Sequence, residues 1–244
     1  MTPTRAPCLL ALDSASERLA VAVVSGDRQW CAEEEGGARA SQRALPLAFE
    51  LLAQAGFQPS DLDAIAFGRG PGAFTGLRTA CAVAQGLAFG LGRPVLAIDS
   101  LAVVAEDARA QQGAAAESLW VAMDARMDEA YAAPYRWADG AWHALRAPAL
   151  WTLPALAAAW HEAPPACVAG SALAAFGARL PLGNALRVDA VRDRAAAPAR
   201  LARAAWQRGE GIDAAEALPL YLRDKVALTT AERAAAKALA GAAS

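Results

Sequence analysis

Four glycines fall within Gly68-Arg-Gly-Pro-Gly-Ala-Phe-Thr-Gly-Leu-Arg78, directly after the apolar run Ala64-Ile-Ala-Phe67. Glycine tolerates positive φ and lets other groups approach the backbone closely. Such a loop opening onto a helix N-terminus can receive an anion or another backbone segment. The same composition also makes a tight structural turn, and both readings stand at this point. No Gly-Lys-Ser/Thr follows the loop, so it is not a Walker A sequence. A second turn, Asp13-Ser-Ala-Ser16, offers a carboxylate and hydroxyls, making Asp13, Ser14 and Ser16 candidates for a weak nucleotide or phosphate contact. Asp13, Asp124 and Glu129 resemble a carboxylate set for acid–base work, which requires two groups converging on one substrate atom. The blander expectation is that they cap turns and form ion pairs. His143 and His161 lie far apart, each beside a tryptophan, and neither belongs to a metal-ligand or protease motif. No metal site is expected. The four cysteines are scattered without a CxxC pair and read as reduced, mostly buried thiols.

With 244 residues, the chain is long enough for two lobes with real cores. It is 56% hydrophobic and 20% charged, the balance of a globular protein. A net charge of -2 gives no basic footprint for a stand-alone nucleic-acid binder. The longest apolar stretch, 79–92, is too short to span a bilayer and contains Gln85, so a cytoplasmic protein without membrane association is expected.

These residues sit on a repeating arrangement of elements. Apolar runs 8–12 and 19–24 flank the Asp13 turn as a hairpin, and a third strand around 29–33 completes a meander. A helix is expected over 41–55, with Pro46 awkwardly inside it. Strand 64–67, the glycine loop, a helix to about Gly90, strand 95–98 and a helix capped by Ser100 follow. The pattern restarts near Leu119 with a strand, a hairpin through Tyr131 and Trp137, helices at 153–162 and 173–180, a strand at 166–169 and a helix around 200–208. This predicts an α/β fold, a duplicated β-meander plus α/β unit forming two lobes. The expected division is 1–100, 101–228 and an Ala-rich tail, 229–244, in which Thr230 caps a helix or the chain is disordered.

Read in full, the glycine run resembles the signature of the TsaB family. Ala11-Leu-Asp-Ser-Ala-Ser-Glu17, Ser41-Gln-Arg-Ala-Leu-Pro46, Ala84-Gln-Gly-Leu-Ala88, Met123 to Tyr131, and Leu218-Pro-Leu-Tyr-Leu-Arg223 are similar to further motifs of that family, in order, over about residues 8–228. The loop residues carrying the resemblance are Gly68, Gly70, Pro71, Gly72, Phe74, Thr75, Gly76 and Arg78. The resemblance implies an actin-like ATPase and sugar kinase (ASKHA) fold. It also implies a non-catalytic scaffold role in synthesis of threonylcarbamoyladenosine on tRNA. The implied partners are the related catalytic subunit TsaD and the small ATPase TsaE, with tRNA engaged only through the complex. Ser41 and Gln42 stand where the catalytic relative has metal ligands. The alternative is a small ATPase or kinase of the same superfamily. Side chains at Ala125, Arg126 and Met127, where active kinases have glycines, oppose close phosphate approach. No cofactor is expected, beyond ATP or ADP bound weakly or at the joint interface.

Two helices carry more apolar or small surface than one lobe needs. On the first, Leu45, Ala48, Phe49 and Leu52 make one stripe, and Leu47, Leu51 and Ala55 a second. On the other, Ala82, Gly86 and Gly90 recur every four residues, which lets another helix approach closely. Leu47, Leu51, Ala55, Ala82, Gly86 and Gly90 are therefore the expected partner interface, serving TsaD or a second copy of the chain. Leu51→Arg or Gly86→Trp is expected to abolish association and leave the monomer folded.

Overall fold

The computed structural model describes residues 5–189 and 191–223; the expected tail helix at Thr230 lies outside them. The first sheet is built from β1 (Cys8–Asp13), β2 (Arg18–Ser25), β3 (Arg28–Glu35), β4 (Ala64–Gly70) and β5 (Val95–Asp99), in the order β3-β2-β1-β4-β5. The meander β1–β3 pairs antiparallel, while β4 and β5 join β1 in parallel. Two helices interrupt the sheet in sequence, α1 (Ala40–Ala55) after β3 and α2 (Phe74–Leu91) after β4, and α3 (Ser100–Gln112) follows β5.

The second half repeats this plan. Strands β6 (Ser118–Asp124), β7 (Glu129–Ala138), β8 (Ala141–Ala144), β9 (Ala149–Thr152), β10 (Cys167–Ala169) and β11 (Leu186–Val188) follow in sequence. The sheet runs β11-β10-β6-β7-β8, the same order as the first, with β9 sharing the outer edge of β7. Again β6 and β7 are antiparallel and β10 and β11 parallel additions. Helices α4 (Leu153–Glu162), α5 (Ala172–Phe176) and α6 (Ala196–Gln207) stand in the places of α1, α2 and α3.

Five layers result. Helices α1 and α2 cover one face of the first sheet, where Leu47, Leu51, Leu52, Ala80 and Ala84 meet Leu10, Leu12 and Phe67. Its other face is covered by α6, through Ala197, Ala199, Ala202 and Ala205. Alanines there keep α6 close to the strands. The second sheet packs on α3 through Leu101, Val104, Ala105 and Ala108, and on α4 and α5 through Leu156, Trp160 and Phe176. The middle layer is therefore α3 beside α6. Buried in it is Glu106, which accepts from Arg200 Nε at 2.6 Å and Trp142 Nε1 at 3.0 Å.

One expectation is met here and two are corrected. The first helix, expected over 41–55, runs from Ala40 to Ala55 with Pro46 inside it. Pro46 and Gln42, whose carbonyl loses its helical donor, both lie exposed, so water can satisfy that carbonyl. The cap of α3 is Asp99, accepting from Leu101 N at 2.9 Å; Ser100 is the first helical residue and points elsewhere. Finally, the 101–228 segment is not one lobe, because α6 and the chain to Leu220 return to the first sheet, where Ile212 bridges Val95.

The lobes also meet through Tyr135 on β7, which donates to Asp99 Oδ2 at 2.6 Å. Burial, reinforced by the Asp99 carboxylate, holds the phenol far above its usual value, so it remains a donor. Cys8, Cys81 and Cys167 are buried free thiols and Cys31 on β3 is exposed; burial pushes the Cys8 thiol up to about 11. Among the described residues no helix is long and apolar enough to cross a membrane.

Candidate functional site

A cleft of about 720 Å³ opens between the lobes. Five segments meet around it: the β1–β2 turn, the glycine loop after β4, the β6–β7 turn, α5 with the preceding Ser171, and residues 220–223. Clefts of this size at lobe junctions are where small ligands bind.

The glycine loop is a clamp on the β1–β2 turn. A Cβ at Gly68 would collide with the Asp13 carboxylate, at Gly72 with Ala15 O, and at Gly76 with Ser14 O, each nearer than 3.0 Å. Ala73 N donates to Ala15 O at 2.7 Å, and Ser14 Oγ donates to Gly76 O at 2.7 Å. Gly70 takes a φ of +110°, and its position faces Leu220 O, whose own N–H donates to Arg69 O at 2.7 Å. Of the two readings of the loop, backbone docking is the one the geometry makes. Asp13 is wholly buried beneath it, accepting from Ala15 N at 3.0 Å and from Ser100 Oγ at 3.0 Å. Ser100 Oγ in turn accepts from Gly70 N at 3.1 Å. Asp13 and Ser14 are thus committed to the fold, and of the three expected phosphate contacts only Ser16 lines the cleft.

Across the cleft, Arg126, Met127 and Asp128 all adopt left-handed conformations, with φ of 65°, 58° and 57°. Each costs about 1 kcal/mol or more for a non-glycine residue, so neighbouring groups must hold the turn. Asp124 Oδ1 accepts from Arg126 N at 2.8 Å, and Arg223 Nη2 donates to Ala125 O at 2.9 Å while pairing with Glu129 at 2.7 Å. The Arg126 guanidinium bridges Asp124 of the second lobe and Glu17 of the first. Asp124 and Glu129 therefore secure a turn. The side chains of Arg126 and Met127 line the cleft where a backbone cradle for phosphate would need glycine. Arg223→Ala removes the clamp and should lower stability by about 2 kcal/mol, the order expected for charge-assisted hydrogen bonds. A urea melt that shows no change would mean that the turn holds itself.

The outer surface of α1 and α2 differs from expectation in which stripe faces out. Leu47 and Leu51 are 5% and 3% exposed and belong to the core, so Leu51→Arg would unfold the lobe instead of testing an interface. The exposed stripe carries Leu45 and Phe49, 38% and 40% exposed. Of the two stripes read from the sequence, the sheet buries Ala48 and Leu52 of the first as well as Leu47 and Leu51 of the second, and only Leu45 and Phe49 turn outward. On α2, Ala82, Gly86 and Gly90 are exposed beside Phe89, and among the described residues a Cβ at Gly86 or Gly90 would meet nothing within 4 Å. Ala55 is half-buried at the end of α1. Arg78 lies over the Phe74 ring at 5.5 Å, and Phe74 packs on Tyr221 at 5.1 Å, so the loop, α2 and the 218–223 segment form one surface. Thr75 O accepts from Thr79 Oγ1.

Sequence reasoning passed over Gln85 and Arg194. Gln85 Nε2 donates to Ala214 O and Ala217 O at 3.1 and 3.0 Å, tying the returning chain to α2. A lone amide in an apolar helix was its signal. His143, on β8, and His161, in the last turn of α4, are both exposed.

The family model described as TsaD, tRNA N6-adenosine threonylcarbamoyltransferase, matches residues 34–180. The tRNA threonylcarbamoyladenosine biosynthesis protein TsaB of Haemophilus influenzae is 42% identical over 123 residues, 50% of this chain and 51% of that protein. TsaB of Escherichia coli is 38% identical over 141 residues, 55% of this chain and 58% of that protein. The chain thus spans about half the length of the curated relatives it matches. A crystal structure from Pseudomonas aeruginosa, of an uncharacterized protein with similarity to peptidase YEAZ, superposes with a TM-score of 0.80 at 42% identity, covering 89% of this chain and 100% of that one. The shared fold is of the actin-like ATPase type.

Proposed function

The chain belongs to the TsaB (YeaZ) family, and from that premise we propose a scaffold function for it. It is a non-catalytic, activating subunit of the bacterial machinery that forms threonylcarbamoyladenosine in tRNA. Its partner is TsaD, which transfers threonylcarbamoyl from threonylcarbamoyl-adenylate to the adenosine beside the anticodon. TsaE joins the same complex, and tRNA is met through the complex.

The observation that carries this reading is the exposed face of α1 and α2. Leu45, Phe49 and Phe89 stand clear of the core beside the open positions Gly86 and Gly90. A helix face covered by its own fold does not leave aromatic rings in water next to an unobstructed groove. The chain is itself related to the transferase family, so a partner of the same fold would present an equivalent helix pair. Two such pairs make a four-helix contact of ordinary interface size. Without the partner, the same face closes a homodimer. In this reading the chain has no cofactor of its own, and ATP or ADP lodges weakly or at the joint interface. The buried commitment of Asp13 and Ser14, and the side chains of Arg126 and Met127, favour that over hydrolysis by this chain alone.

Reconstitution tests it. The chain is combined with TsaD, TsaE, ATP, threonylcarbamoyl-adenylate and unmodified tRNA, omitting each protein in turn. Modified nucleoside should form when the chain accompanies TsaD, and not with the chain in place of TsaD. Equal product without this chain would overturn the assigned role.

A further inference from the structure

Behind the main cleft lies a second recess of about 380 Å³, which shares Ser16, Arg18, Met123 and Ser171 with it. Its floor is Arg194, at the start of α6, whose side chain is 8% exposed. Among the described residues, Nε and Nη2 of Arg194 have no hydrogen-bond acceptor. The nearest carboxylate is Asp13, at 3.9 Å from Nη2, and its oxygens already accept from Ala15 N and Ser100 Oγ. Asp13 therefore balances the charge of Arg194 without satisfying its donors. Buried guanidinium groups are otherwise found with their N–H donors occupied.

The rest of the recess is also rich in donors. Ser16 Oγ accepts from Arg18 N at 3.1 Å, and Ser171 Oγ accepts from Asp124 N at 3.0 Å. Each hydroxyl proton is then directed elsewhere. Arg18 reaches the same space, with its guanidinium 3.6 Å from Glu33. Two carboxylates also line it: Glu33, which accepts from Ala195 N at 3.1 Å, and the exposed Asp189. Glu33 is occupied by Arg18 and the α6 backbone, so the unanswered valence lies with Arg194 and the two hydroxyls.

We propose that this recess binds a small oxyanion, a phosphate or a carboxylate, with the Arg194 guanidinium as its main ligand and Ser16, Ser171 and Arg18 completing it. A planar fork with two adjacent free N–H groups matches two oxygens of such an anion. This site lies apart from the exposed helix face, and it stands or falls independently of the scaffold reading.

The test is a thermal melt of the full chain in phosphate, sulfate or acetate, each against sodium chloride of equal ionic strength. At tenfold excess over the dissociation constant, the bound anion should raise the midpoint by roughly 3–5 °C. Arg194→Met should abolish that rise, and Arg18→Gln and Ser16→Ala should each reduce it. A rise with phosphate and sulfate assigns the site to phosphate chemistry, and a rise with acetate alone assigns it to carboxylates. If Arg194→Met fails to fold because Asp13 is left unbalanced, the other two variants decide. The proposal is overturned by a wild-type response equal to that in chloride. It is equally overturned by a response that Arg18→Gln and Ser16→Ala leave intact, or by an undiminished rise in folded Arg194→Met.

Discussion

Gly86→Trp and Phe49→Arg each leave the monomer folded and weaken its association with TsaD by roughly 30- to 1,000-fold, the range of a lost interface hot spot. The two substitutions work differently. Gly86 sits mid-helix with open space around it among the described residues, so an indole there projects from the exposed face into the space a partner helix would use. Losing an interior helical glycine even favours the helix slightly. Phe49 is 40% exposed, so arginine at this site is solvated in the monomer, but it would be desolvated without a counter-charge in an apolar contact. Circular dichroism should give unchanged melting, while calorimetric titration or gel filtration with TsaD should show the loss. Unaltered affinity in both variants would place the interface elsewhere. The homodimer should weaken in parallel, because it is assigned to the same face.

Gly76→Ala should lower stability by about 3 kcal/mol, or roughly 6–12 °C in melting temperature. The added methyl is driven into Ser14 O, a backbone atom of the β1–β2 turn that cannot rotate away. Relief requires α2 to lift from that turn, which breaks the Ser14 Oγ to Gly76 O bond and opens the lid over Asp13. Gly86→Ala on the same helix is the control. Among the described residues it meets no atom within 4 Å, and it should raise stability by about 0.5–1 kcal/mol through helix propensity alone. Opposite signs at two glycines of one helix would separate close approach from general glycine effects. If both variants are stabilised, the clamp described for the loop is wrong.

Much of this was legible beforehand because it is local. The restart of the strand pattern near Leu119 announced the second sheet, and the Leu153–Glu162 helix was bounded correctly by its periodicity. What escaped depends on packing at a distance. Strands β9 and β11 are four and three residues long, and their identity comes from edges supplied by β7 and β10, not from their own alternation. Ser100 was a sound cap candidate by type, yet Asp99 took that place and freed Ser100 to join Asp13 to the Gly70 backbone. The glycine loop was recognisable, but its purpose was not, because the atoms its glycines avoid lie about 60 residues earlier in the chain. The partner stripe was misassigned for a related reason. Leu47 and Leu45 differ in direction by two residues of helical rotation, and only the sheet beneath α1 tells inside from outside.

The return of α6 to the first sheet has a consequence for how the protein is made. Strands β1 to β5 leave the ribosome first, yet one of their two apolar faces waits for Ala197, Ala199, Ala202 and Ala205, and their loop waits for Leu220. The amino-terminal lobe therefore cannot close when its own strands are complete. For the time taken to synthesise more than a hundred further residues, it presents Leu9, Val24 and Leu96 to whatever is nearby. Closure of the older lobe is timed by the younger one, and the last described residues of the chain act as its fastening.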